Sequence, residues 1–135
     1  MAGPAVHKPA GRLGPSFGTA NQEDLQPFLG VMQILHHEPL GTAFNNLLLQ
    51  QLRPEDEVAL AHVFEEVSTL AAHRLISEDL LFDAFAIDNY WEQLKGTVRG
   101  IRERWGNPKL FENFEAMAGL AMDYREARPP KLTRR

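Results

Sequence analysis

The sequence predicts an all-α protein, an irregular antiparallel bundle of five to six helices, and three observations carry that prediction. Apolar residues recur at three- and four-residue spacing over most of the chain between Leu25 and Ala121. Glycine and proline fall mostly at the edges of those periodic runs, beside residues that cap helices. No run of β-branched residues alternates with polar ones, so nothing competes as a strand. With 135 residues, 44% hydrophobic and 24% charged, the chain has the size and composition of one ordinary globular domain.

Each helix has its own signals. Asn21 or Asp24 can cap the first, with Pro27 tolerable only in its first turn, and Leu25, Phe28, Leu29, Met32 and Leu35 mark the face expected to be buried. His36, His37, Glu38 and Pro39 end it. A short second helix follows Gly41, with Thr42 as its cap and Phe44, Leu47, Leu48 and Leu52 inward. Pro54 then stands where a first helical residue should, and Glu55, Asp56 and Glu57 put negative charge at the positive end of the helix dipole. From there Val58, Ala61, Phe64 or Val63, Val67 and Leu70 or Ala71 keep helical spacing to about Arg74.

Ser77, followed by Glu78 and Asp79, starts a short helix through Leu80, Leu81, Phe82 and Phe85. Asp88 is expected to cap the next, where Trp91, Leu94, Val98, Ile101 and Trp105 form one continuous face. Gly106 closes it in the left-handed position, and Asn107 with Pro108 is expected to open the last helix, whose inner face is Leu110, Phe111, Phe114, Met117, Ala118 and Ala121.

Outside the periodic region, residues 1–20 read as a disordered leader rich in Gly, Pro and Ala, and residues 126–135 as a basic disordered tail, leaving 21–125 as the helical domain. From Asn21 to Tyr124 there are seven Lys and Arg against seventeen Asp and Glu, a net charge of −10. Such a body repels phosphate backbones, so nucleic acid is not expected as the partner of the folded core, although the basic tail offers a weak, salt-sensitive attraction. Cysteine is absent, which excludes disulfides and thiolate chemistry. With no apolar run of membrane-spanning length and no secretory signal core, the expected location is the cytoplasm.

Candidate chemistry is sparse. His62, Glu65 and Glu66, at i, i+3 and i+4, lie close on one helix and have the residue types of a metal or acid–base site, but an unrepeated His-x-x-Glu equally suits a solvated face. Lys95, Arg99 and Arg102 form a basic stripe that can grip a phosphate or acidic peptide, or pair with Glu65 and Glu66 across the two long helices. The candidate ligand set is therefore His62, Glu65, Glu66, Arg99 and Arg102. His36 and His37 suit the negative end of a helix, and no nucleophile, base and orienting group stand out, so no catalytic residue, cofactor or metal site is assigned. Three consecutive leucines, Leu47, Leu48 and Leu49, cannot all face one core, and Tyr90 lies off the Trp91 face. These four are the expected interface residues, for a second copy or another protein.

Through Phe64-Glu65-Glu66-Val67, Leu75 to Leu81, Tyr90-Trp91 and Arg102, the chain resembles a family of small uncharacterised bacterial all-helical proteins, a domain of unknown function, over roughly residues 22–122. The resemblance implies a helical fold and brings no activity with it. The resulting expectation is a noncatalytic helical protein–protein interaction module, with enzymatic activity left open. The alternative is a small-ligand sensor or metal-dependent enzyme with a polar pocket between the two main helices.

Overall fold

The computed structural model describes residues 20–127; most of the expected leader and all but the first two residues of the expected tail lie outside that range. A 3-10 turn at Gln22–Asp24 leads into six α-helices: α1 (Leu25–His36), α2 (Leu40–Leu48), α3 (Pro54–Ala72), α4 (Glu78–Ala84), α5 (Ile87–Trp105) and α6 (Glu112–Ala127). No strand occurs among the described residues.

Side-chain contacts fix how the helices run. Glu57 meets Thr97 and Phe64 stacks on Tyr90, so α3 and α5 are antiparallel. Arg102 bonds Glu115 while Asp88 pairs with Arg125, so α5 and α6 are antiparallel too, and α3 and α6 lie side by side in the same direction. Aromatic rings from every helix or its flank meet in the core: Phe44 of α2, Phe64 of α3, Tyr90 and Trp91 of α5, Phe114 of α6, with Phe28 against Phe85 and Phe82 against Tyr124 at the α1 and α4 ends.

The start of α3 is held by Asp56, which is buried and accepts four bonds: from the Arg53 backbone amide at 3.0 Å, Arg53 Nε at 2.9 Å, Arg53 Nη2 at 2.7 Å and Asn46 Nδ2 at 2.8 Å. The bonds from the Arg53 guanidinium, above all, hold the Asp56 carboxyl well below its ordinary value of 3.8. A lowered folded value means that the stabilisation is fully present above pH 3.8 and is lost as pH falls towards the folded value. Asp56→Asn is accordingly expected to be less stable than the parent near neutrality, with the gap narrowing below about pH 4. Urea unfolding of both proteins at pH 7 and pH 3 checks this, and an undiminished gap at pH 3 would count against it.

Several faces differ from the sequence expectation. In α1 the buried residues are Val31 and Leu35, with Phe28 half-buried, whereas Leu25, Leu29 and Met32 are exposed. Apolar side chains take up more of this helix than one face, outside the exposed Gln26 and Gln33, so periodicity could not choose among them; the choice is made by α2, against which α1 packs. In α3 the buried arc is Leu60, Phe64, Val67 and Ala71, and Val58 falls off it. α5 begins at Ile87, which places Asp88 inside the first turn, paired with Arg125 at 3.0 Å, rather than at the cap. Trp105, expected inward, is 75% exposed. The register of the Glu57–Thr97 contact explains this: the last turn of α5 runs past the beginning of α3, where nothing covers it. Gly106 does close α5 with φ +61°. α6 starts at Glu112 rather than Pro108 because Phe111 has φ +63°, a left-handed backbone that no regular helix can pass through.

Candidate functional site

The candidate ligand set does not converge. His62 and Glu66 form an exposed pair on α3, Nε2 to Oε2 at 3.3 Å. Glu65, one residue round the helix, points inward and serves α6: Oε1 accepts the Phe114 amide at 2.8 Å, and Oε2 accepts Asn113 Nδ2 at 3.0 Å. Thr69 completes the group, accepting from the same Asn113 nitrogen at 3.1 Å. Glu65 is thus an N-terminal cap supplied from another helix, meeting donors that α6 leaves unpaired at its start. Burial pushes its carboxyl above the ordinary value, although the bonds from Phe114 and Asn113 act in the opposite direction.

Arg102 grips the other side of the same segment. Its Nε donates to the Leu110 carbonyl at 2.7 Å, Nη2 donates to Glu115 Oε1 at 2.8 Å, and its guanidinium lies 5.9 Å from the centre of the Trp91 ring. Glu65 from α3 and Arg102 from α5 therefore clamp residues 110–115 and hold the left-handed turn at Phe111 in place. Arg99 is exposed, and the α3–α5 register sets it opposite the beginning of α3, away from Glu65 and Glu66. The expected pairing of the basic stripe with Glu65 and Glu66 is replaced by Lys95 to Glu92 at 2.6 Å and Arg102 to Glu115. The polar pocket expected between the two main helices is not formed by these residues.

Near the α1–α2 junction, His36 Nδ1 lies 2.7 Å from the Met32 carbonyl, and Glu38 accepts Thr42 Oγ1 at 3.0 Å, so this pair of side chains closes one helix and opens the next. His37 and Glu38 also edge an open hollow of about 510 Å³. No group of three or more His, Asp or Glu among the described residues is disposed to hold a metal ion.

Of the four expected interface residues, Leu47, Leu48 and Tyr90 line one cleft and Leu49 lies outside its lining. Where the last turn of α2 meets the first turns of α5, Leu47, Leu48, Ala86 and Tyr90 line an open cleft of about 410 Å³. Leu47 and Tyr90 form its floor and are buried in the chain's own core, which removes them as contact residues: Tyr90 is needed against Phe44 and Phe64. Leu48 and Leu49 are 56% and 57% exposed. Gln50 and Asn89, with Glu92 and Gln93, give the rim its polar groups, and Gln93 Nε2 lies 3.4 Å from the Leu47 carbonyl. α2 ends here, before Gln50 at φ +57°, and Leu48 and Leu49 follow Leu47 one and two steps round the helix, off the row that Ala43 and Leu47 bury.

Sequence reasoning missed a buried polar junction. Asp24 accepts the Asn21 amide at 2.8 Å and the Ser77 amide at 2.9 Å, tying the start of α1 to the start of α4, while Ser77 turns its hydroxyl to Asp79. The capping signals of both helices were legible, but a cap shared across 53 residues leaves no local trace. Tyr124, near the end of the expected helical domain, is fully buried and donates to Asp83 at 2.7 Å, a contact that no local signal announces.

Among the described residues no helix is long and apolar enough to cross a membrane. Comparison with curated proteins and with solved structures gave no match. Residues 19–120 match the family model described as "Domain of unknown function (DUF4760)", which covers most of the chain, and the protein belongs to that family.

Proposed function

We propose that this protein is a noncatalytic helical module that binds another protein through the cleft between α2 and α5. The observation that carries the reading is Leu48, more than half exposed in the lining of a cleft whose floor is apolar and whose rim is amide and carboxylate. Apolar side chains ringed by polar groups are the usual anatomy of a docking site. The residues from which an enzyme site would have been built are occupied in holding α6 or lie apart on the surface. The net charge of −10 between Asn21 and Tyr124 favours a partner whose contact surface is basic around an apolar centre, since opposite charge steers the encounter.

A photo-crosslinking amino acid at position 48, in intact cells, tests the reading. The expected result is a specific adduct with one protein, which after purification binds the parent chain at least about tenfold more tightly than it binds Leu48→Glu. Equal binding by Leu48→Glu, or no specific adduct from position 48, would overturn the reading.

A further inference from the structure

Arg125, in the last turn of α6, donates to Asn89 Oδ1 at 3.2 Å and pairs with Asp88 Oδ2 at 3.0 Å, and Asn89 lines the α2–α5 cleft. The chain therefore leaves α6 at the edge of that cleft. Residues 128–135 follow, beyond the described range, with four bases (Arg128, Lys131, Arg134 and Arg135), no acid and a single leucine, Leu132. The surroundings of the cleft have the complementary pattern. From Leu75 to Leu94, a stretch that takes in α4 and the first turns of α5, there are five acids and no base, whereas α2 has no charged side chain. Glu92 lies in the lining itself, and its exposed pair with Lys95 costs little to exchange.

We propose that residues 128–135 of this same chain occupy the cleft, with Leu132 against Leu48 and Ala86 and the flanking bases along the acidic start of α5. The proposal rests on the reading of the cleft as a docking site and deepens it. A basic segment around one apolar residue is the composition argued above for a partner, so the chain covers its own site and a partner must displace the cover. Position selects this segment over the residues before Ala20, which enter the fold elsewhere: Asn21 is bonded to Asp24, and Asp24 holds the start of α4.

Reach permits the contact. From Ala127 to Leu132 five residues span about 16 Å as extended backbone, which Pro129 and Pro130 favour, and crossing the outer side of one helix takes about 10–12 Å. So short a tether gives an effective concentration on the order of millimolar, and contacts too weak to hold a separate peptide then suffice.

Paired cysteines test the proposal, since the chain has none of its own. The variant Leu48→Cys/Leu132→Cys and the control Met122→Cys/Leu132→Cys are oxidised mildly in dilute solution, with circular dichroism to verify helicity. Met122 is 54% exposed and lies only about 7.5 Å along α6 from Ala127, so a segment that did not dock would meet position 122 at least as often as position 48. The expected result is a disulfide between positions 48 and 132 within one chain, formed at least about tenfold faster than the one between 122 and 132. Equal rates, or faster closure at 122, would overturn the proposal. So would a covalent product of twice 15.2 kDa, which assigns the cleft to a second copy, or faster closure of Leu48→Cys with Phe17→Cys, which assigns it to the residues before Ala20. No second protein is present in this assay, so its failure strikes the contact with residues 128–135 and leaves the cleft reading to crosslinking in cells.

Discussion

Phe64→Ala is expected to destabilise the protein by about 3–5 kcal/mol, the range for removing a fully buried phenylalanine from a packed core. Its ring has no solvent exposure and touches three helices besides its own: Phe44 at 6.2 Å, Tyr90 at 5.1 Å and Phe114 at 5.7 Å between ring centres. Alanine leaves a void that none of these can fill alone, because Tyr90 and Phe114 are themselves fixed by Phe44 and by Trp91. In a domain of this size the loss corresponds to a melting temperature lower by roughly 10–20 °C. Urea titration followed by the fluorescence of Trp91, which is buried, provides the measurement. A cost under about 1 kcal/mol would mean that the core around Phe64 is not packed as described.

The second large effect is expected at Glu65. Glu65→Ala leaves the Phe114 amide without its acceptor and the Asn113 side chain with Thr69 alone at a half-buried helix start, and about 1–3 kcal/mol should be lost. Glu65→Gln keeps an oxygen for Phe114 and should lose less. The two variants also separate by pH. Burial raises the folded value of the Glu65 carboxyl above 4.5, so between 4.5 and that folded value the folded protein binds more protons than the unfolded chain. This contribution to stability is therefore greatest below pH 4.5 and declines as pH rises through the window, the reverse of the Asp56 case. Neither variant carries the titrating group, so both should lose that component of the pH dependence, while differing in stability by a nearly constant amount. Proton exchange of the Phe114 amide supplies a local readout: it should quicken in Glu65→Ala, and unchanged exchange would remove Glu65 as its acceptor.

The parts of the fold written in local signals were legible, and those decided by distant partners were not. Pro54 with its three acids and Gly106 with its left-handed backbone each mark a boundary by their own chemistry, and the structure places helix ends there. The extra stripe at Leu47, Leu48 and Leu49 was visible because no helix can bury three consecutive residues on one side. Which of the three faces inward depends on the row that Leu47 shares with Ala43, a choice made by neighbouring helices that no local pattern announces. Trp105 shows the opposite failure. Its spacing from Ile101 is regular, but burial requires a neighbouring helix at that level, and α3 begins too late to supply one. Glu65 and Arg102 belong to the candidate ligand set, and their bonds to Leu110, Asn113 and Phe114 were not legible because those partners lie in another helix or the turn before it.

The bonds from Asp24 to Ser77 and from Glu65 to Phe114 join residues 53 and 49 positions apart. Helical bundles usually fold fast because most of their contacts are between near neighbours in sequence. Here the secondary structure is local but the ties that close it are not. Segments of about fifty residues must be gathered before either carboxylate finds its amide, at an entropic cost that helix formation by itself does nothing to offset. The slow step of folding is therefore expected to be the meeting of helices rather than their formation. An internal deletion between Glu65 and Phe114 would shorten the path that α6 must travel back to α3, but it would have to spare the α5 segment that carries Arg102, the second hand on the same turn.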